Sequence, residues 1–95
     1  MRTEITHKVP NGKLLRISLE YDTTTLLSAK ICGDFFCHPE ETIEAMEKAL
    51  YHLPVEAKPE RVKHLLDHVT TEKKAQLVGF DTETLSKLIC EAINP

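Results

Sequence analysis

Hydrophobic residues in the first third of the chain recur at every second position. Leu15, Ile17, Leu19 and Tyr21 fall on one face and Arg16, Ser18 and Glu20 on the other. That is the alternation of a half-buried antiparallel strand. Upstream, Thr3, Ile5, His7 and Val9 alternate with Glu4, Thr6 and Lys8; downstream, Leu27, Ala29 and Ile31 alternate with Ser28, Lys30 and Cys32. Three strands joined by short turns make a meander. The first turn can be derived from the faces. A two-residue Asn11-Gly12 turn would oppose Thr6 to Ile17 and Glu4 to Leu19, setting polar beside apolar. A three-residue loop, with Pro10 and Asn11 at the centre of a type I turn and Gly12 left-handed in a bulge, opposes Ile5 to Ile17 and His7 to Leu15. The bulged turn is therefore predicted.

After Gly33 the period changes. Pro39, Glu40 and Glu41 open a helix, where proline is tolerated and carboxylates suit the positive end of the helix dipole. Ile43, Met46, Leu50 and Leu53 recur at helical spacing, and Pro54 stops the run. Residues 55–59 form a linker. A second helix carries Val62, Leu65, Leu66 and Val69. The polar half of residues 70–80 reads as a helix end, and residues 75–80 as extended. Asp81 is the N-cap of a last helix bearing Leu85, Leu88, Ile89, Ala92 and Ile93. The expected architecture is one α+β domain over residues 1–95. A three-stranded antiparallel sheet has three amphipathic helices on one face. Its other face presents Glu4, Thr6, Lys8, Arg16, Ser18, Glu20, Ser28, Lys30 and Cys32 to solvent or a partner.

Composition narrows the function classes. Twelve Lys+Arg against 15 Asp+Glu leave a net charge of −3, which argues against nucleic-acid binding by bulk charge. Only three glycines occur in 95 residues, Gly12, Gly33 and Gly79, and they lie far apart. Phosphate-gripping loops need clustered glycines so that backbone N–H groups can approach the anion, so the Walker and dinucleotide fingerprints are excluded. The start, Met1-Arg2-Thr3-Glu4, lacks the apolar stretch of a signal peptide, and no run approaches the ~20 apolar residues of a membrane span. Three cysteines, an odd count without a paired framework, suit a reducing compartment. A cytoplasmic protein is expected.

Few residues carry candidate chemistry. Cys32, Cys37 and His38 form the one cluster with possible thiol or metal character, but a site would need a fourth ligand such as Cys90 or His7, and no second cysteine pair is visible. The plain reading is a strand-edge cysteine, a loop cysteine and a histidine opening a helix. Glu40, Glu44 and Glu47 share one helix face, read as solvated, and His52, His64 and His68 as helix-surface histidines. No catalytic residue and no metal site is assigned. Phe35 and Phe36 stand apart. Adjacent residues leaving a strand point in opposite directions, so both rings can hardly enter one small core. Two placements stay open: one ring exposed as an interface anchor, or one in the core and one under a helix end.

The segment Ile31-Cys32-Gly33-Asp34-Phe35-Phe36-Cys37-His38-Pro39-Glu40-Glu41 resembles the Gly-Asp-Phe-Phe…Pro-Glu-Glu signature of the lipoate–protein ligase accessory domain. Lys8-Val9-Pro10-Asn11-Gly12-Lys13-Leu14 is similar to that family's basic hairpin, and Leu77-Val78-Gly79-Phe80-Asp81 to its terminal turn. The likeness spans essentially the whole chain. It implies an α+β fold similar to the iron–sulfur scaffold and sulfur-acceptor proteins. It also implies the stand-alone accessory subunit of a bipartite ligase, as in archaea, not catalytic by itself. Such ligases activate lipoate with ATP to lipoyl-adenylate and transfer the lipoyl group to a lysine of a lipoyl domain. The acceptors are the acyltransferase subunits of 2-oxoacid dehydrogenase complexes and the glycine-cleavage H protein. The resemblance further implies that no cofactor is bound by this chain alone, while lipoate, ATP and Mg belong to the complex with the catalytic subunit. Gly33, Asp34, Phe35, Phe36, His38 and Lys30 would form or brace the surface that meets that subunit. An iron–sulfur or sulfur-transfer scaffold using Cys32 and Cys37, and a generic adaptor domain, are the alternatives.

Overall fold

In a computed structural model, residues 1–9 and 13–93 are described. Strands β1 (Arg2–Val9), β2 (Lys13–Tyr21) and β3 (Leu26–Gly33) form an antiparallel sheet in sequence order. The register is the one the faces demanded: Ile5 opposes Ile17 and His7 opposes Leu15. The predicted bulged turn at Pro10, Asn11 and Gly12 lies outside the described residues. Along β2 the inward positions Leu15, Ile17 and Leu19 are fully buried, while Arg16 and Glu20 are exposed on the open face.

The third strand departs from strict alternation. A bulge falls between Glu20 and Tyr21, so Ser28 opposes Glu20 while Leu26 opposes Tyr21. Leu27 therefore faces solvent rather than the core, and Leu26 is fully buried in its place. An inserted residue resets which side chains face inward, and a simple period-two count misses that.

Helix α1 (Glu41–Ala49) lies against β3, α3 (Thr82–Ile93) against β1 and β2, and α2 (Pro59–Lys73) packs on both helices. Met46, Leu50, Val62, Leu66, Leu85 and Ile89 are fully buried and join the β2 residues in one core. Asp81 caps α3 as predicted, its carboxylate accepting from the Thr84 N–H at 2.7 Å. α2 is capped by Lys74, the residue just past its last turn, which is left-handed with φ 52°. α1 is shorter than the sequence suggests. It stops at Ala49, and His52, with φ 67°, lies beyond it rather than on its surface. The His52 N–H donates to the Leu26 carbonyl at 2.9 Å and the Leu26 N–H to the Leu53 carbonyl at 2.8 Å. Leu53 is thus buried by an extended segment joining the sheet edge, not by a further helical turn.

A second sheet was not foreseen. β4 (Phe36–His38) and β5 (Gln76–Val78) form an antiparallel ribbon that opposes Phe36 to Val78, Cys37 to Leu77 and His38 to Gln76. No helix among the described residues is long and apolar enough to cross a membrane.

Candidate functional site: the exposed ribbon

The ribbon begins at a constrained exit from β3. Gly33 has φ 151°, and a Cβ placed on it would lie 2.0 Å from the Leu14 carbonyl oxygen. Only glycine allows β2 to approach that closely. The next residue uses the same carbonyl: the Asp34 N–H donates to Leu14 O at 2.9 Å. Asp34 itself is exposed. From there the backbone delivers Phe35 and Phe36 to opposite sides. Phe35 is half-buried and packs on Phe80, ring centroids 4.6 Å apart and planes tilted by 49°. Phe36 points outward with 60% of its surface exposed. The open question about the two rings is settled in favour of one exposed ring.

Strand pairing gives Phe36 a companion. Val78 lies directly across from it and is 45% exposed, so an aromatic ring and a branched side chain stand together on the outer face. His38 and Gln76, one pair further along, are exposed on that face too. The outer face is therefore an apolar pair beside a polar pair. A shallow hollow of about 160 Å³ adjoins it, lined by Phe35, Phe36, Cys37, Glu40 and Ile43. The His38–Pro39 peptide that leads from the ribbon into α1 is cis.

Of the six residues singled out from sequence, Gly33, Asp34, Phe35, Phe36 and His38 are gathered at the ribbon and its entry. Lys30 is not. It stands across from Ser18 on the open face of the three-stranded sheet. Val78 and Gln76 were missed. Their signal was the extended reading of residues 75–80, but nothing in a three-residue strand announces its partner.

The thiols do not converge. Cys37 faces inward and is buried, its Sγ 3.6 Å from the Pro39 carbonyl oxygen. Burial pushes this thiol up. Thr42 Oγ1, itself buried without a well-aligned partner, approaches the sulfur loosely and offsets the effect only in part. Cys32 is exposed on β3 across from Arg16, and Cys90 lies on α3 with its Sγ 3.5 Å from the Ala57 carbonyl oxygen. Burial raises the Cys90 thiol as well. Among the described residues no three His, Cys, Asp or Glu side chains gather as metal ligands. Nor is Glu47 a solvated carboxylate, as its helix face suggested. It reaches the sheet edge and accepts the Ile31 N–H at 2.7 Å.

No family model matches the chain, and a search of curated proteins finds no match. Among solved structures the chain is similar to one from an archaeal lipoylation system of Thermoplasma acidophilum, described as a bipartite lipoate protein ligase and its E2 lipoyl domain. The TM-score is 0.78, the identity 21%, and the alignment covers 94% of each chain. The two chains thus share a fold from end to end and are of similar length.

Proposed function

We propose that this chain is the non-catalytic accessory subunit of a bipartite lipoate–protein ligase. With a separate catalytic subunit it supports ATP-dependent adenylation of lipoate and lipoylation of acceptor lysines on lipoyl domains. The observation that carries this reading is the end-to-end fold match to a chain solved with such a system. The glycine-poor sequence fits the same division of labour, because the phosphate-binding loop would lie on the other polypeptide. Acceptors would be the lipoyl domains of 2-oxoacid dehydrogenase acyltransferases and the glycine-cleavage H protein.

The ribbon is the docking surface in this reading. Phe36 and Val78 supply the apolar anchor, and Asp34 and His38 supply the polar rim, the usual anatomy of a small hot spot. Lys30, on a different sheet, would brace the contact only if the partner also reached the open face. The subunit acts by favouring one arrangement of the catalytic chain's loops, a population shift that needs differential affinity but no donated catalytic group.

Lipoate-dependent ATP–pyrophosphate exchange tests the proposal directly, with the catalytic chain alone, this chain alone, and the two mixed. Exchange is expected in the mixture and not with this chain alone. Full exchange by the catalytic chain alone would refute it, and binding without any effect on exchange would leave only an adaptor. Phe36→Ala is expected to weaken the complex by about 2 kcal/mol, roughly thirtyfold. The same substitution should change the stability of the free chain by less than about 0.5 kcal/mol, since the ring is exposed.

A further inference from the structure

The three-stranded sheet has two outer edges, and they are treated differently. On β3 the outward edge is covered at two places: Glu47 takes the Ile31 N–H, and residues 52 and 53 exchange hydrogen bonds with Leu26. On β1 they are bare. Met1 and Tyr21 bond each other through both backbone groups, which fixes the pairing phase. In an antiparallel pair such mutually bonded positions recur at every second residue. The odd residues of β1 therefore turn their N–H and C=O toward β2, and Arg2, Glu4, Thr6 and Lys8 turn theirs outward. None of those four backbones has a hydrogen-bond partner among the described residues.

A bare eight-residue edge is a template for another strand, and charged side chains normally protect it. Here the charges have both signs and are spaced so that the edge complements itself. We propose that β1 is the docking edge for a second copy of this chain, in an antiparallel two-fold pairing centred on Thr6. This sets Glu4 of each copy opposite Lys8 of the other and Thr6 opposite Thr6. The side chains of these residues all emerge on the open face of the sheet.

Competing registers are worse. A two-fold centred on Ile5 opposes Arg2 to Lys8, and one centred on Glu4 opposes two glutamates. Like charges directly across a ladder are destabilising. Centring on Thr3 pairs Arg2 with Glu4 but overlaps residues 1–5 only, against residues 3–9 in the proposed register. The inward face gains as well. Ile5 and Val9 are only partly buried at this edge, whereas Leu15 and Ile17 on the neighbouring strand are fully buried. The second copy would cover Ile5 with His7 and Val9 with Thr3. The inference does not depend on the proposed function.

Sedimentation equilibrium and amide hydrogen exchange on the full chain, from micromolar to millimolar concentration, test it. A dimer is expected, with protection of the Glu4, Thr6 and Lys8 amides that rises with concentration. Lys8→Glu and Glu4→Lys should each raise the dimer Kd roughly tenfold or more, and the combined swap should restore it. Thr6→Pro should abolish the dimer and leave the monomer folded, because an edge strand tolerates the loss of an outward N–H. A chain that stays monomeric at millimolar concentration, a dimer indifferent to the charge swaps and to Thr6→Pro, or protection of these amides only by a different protein overturns the proposal.

Discussion

The three-stranded sheet and the β4–β5 ribbon are built from the same chemistry but are held by different means. The sheet owns its stability. β2 is paired on both sides, its inward residues are fully buried, and helices cover the inner face. The ribbon has three residues per strand and one inward pair, Cys37 and Leu77, of which Leu77 is only partly buried. Two strands of that length are marginal in water by themselves. Three attachments order the ribbon from outside: the close crossing of Gly33 over Leu14, the Phe35–Phe80 contact, and the closure of the α2–β5–α3 excursion by Asp67 and Thr82. A short element fixed at its ends can leave its outer face free of structural duty. That is where the exposed apolar pair Phe36 and Val78 sits.

Breaking the first attachment should have the largest effect. Gly33→Ala sets a Cβ against a backbone carbonyl oxygen at a left-handed φ, so neither neighbour can give way cheaply. About 3–5 kcal/mol is expected to be lost, a large share of the roughly 5–14 kcal/mol typical of a domain this size. Urea unfolding would measure it. Gly79 offers an internal contrast. Its φ is 95°, but the nearest obstacle is the flexible Lys13 side chain at 2.9 Å, so Gly79→Ala should cost less. Equal costs for the two substitutions would mean that the crossing at Leu14 does not hold the ribbon.

Phe80→Ala comes next. Phe80 is buried in the core and also touches Phe35, so the ribbon and the helical layer share it. A loss of about 3 kcal/mol is expected from the cavity alone. The comparison predicts more than a loss of stability, because the damage should be uneven. Amides of Cys37 and Leu77 should exchange faster relative to those of Ile17 and Leu19, as a locally opened unit. Uniform loosening across both sheets would make the ribbon part of one cooperative core and remove the distinction.

The difference between the two sheets also explains what could be read from the sequence. β1 and β2 are long enough for period two to show, and matching faces gave their register without the turn being seen. The helices showed through Val62, Leu66, Leu85 and Ile89, which sit at helical spacing because one face of each helix meets the core. Three-residue strands show no period, and Cys37 finds Leu77 only because α1 and α2 fold between them. Leu27 was misplaced because a bulge changes the phase of the alternation, and Leu53 because burial by a sheet-edge segment mimics a helical repeat. Half of the candidate site was legible by the same logic. Opposite directions for neighbouring residues separated the two rings, but that Phe36 is the exposed one, with Val78 beside it, needed the structure.

The smallest expected effect tests the third attachment. The Asp67 carboxylate accepts from Lys63 Nζ at 2.8 Å through one oxygen and from the Thr82 hydroxyl through the other, tying α2 to the start of α3. The Lys63 hydrogen bond, with the Thr82 hydroxyl second, holds this carboxyl below its ordinary value. A carboxyl depressed in the folded state contributes stability above its unfolded value, near 3.8, and that contribution fades as pH falls through the lower folded value. Asp67→Asn should therefore be less stable than the parent at neutral pH, and the two urea midpoints should converge as the pH drops below the ordinary carboxylate range. The gap is small because Asp67 is 41% exposed and salt screens the ion pair. Its location is more telling than its size. Exchange should quicken around β5 and the first turn of α3 while β1 and β2 stay as they were, and a gap of the same size at every pH would remove the carboxylate from the clasp.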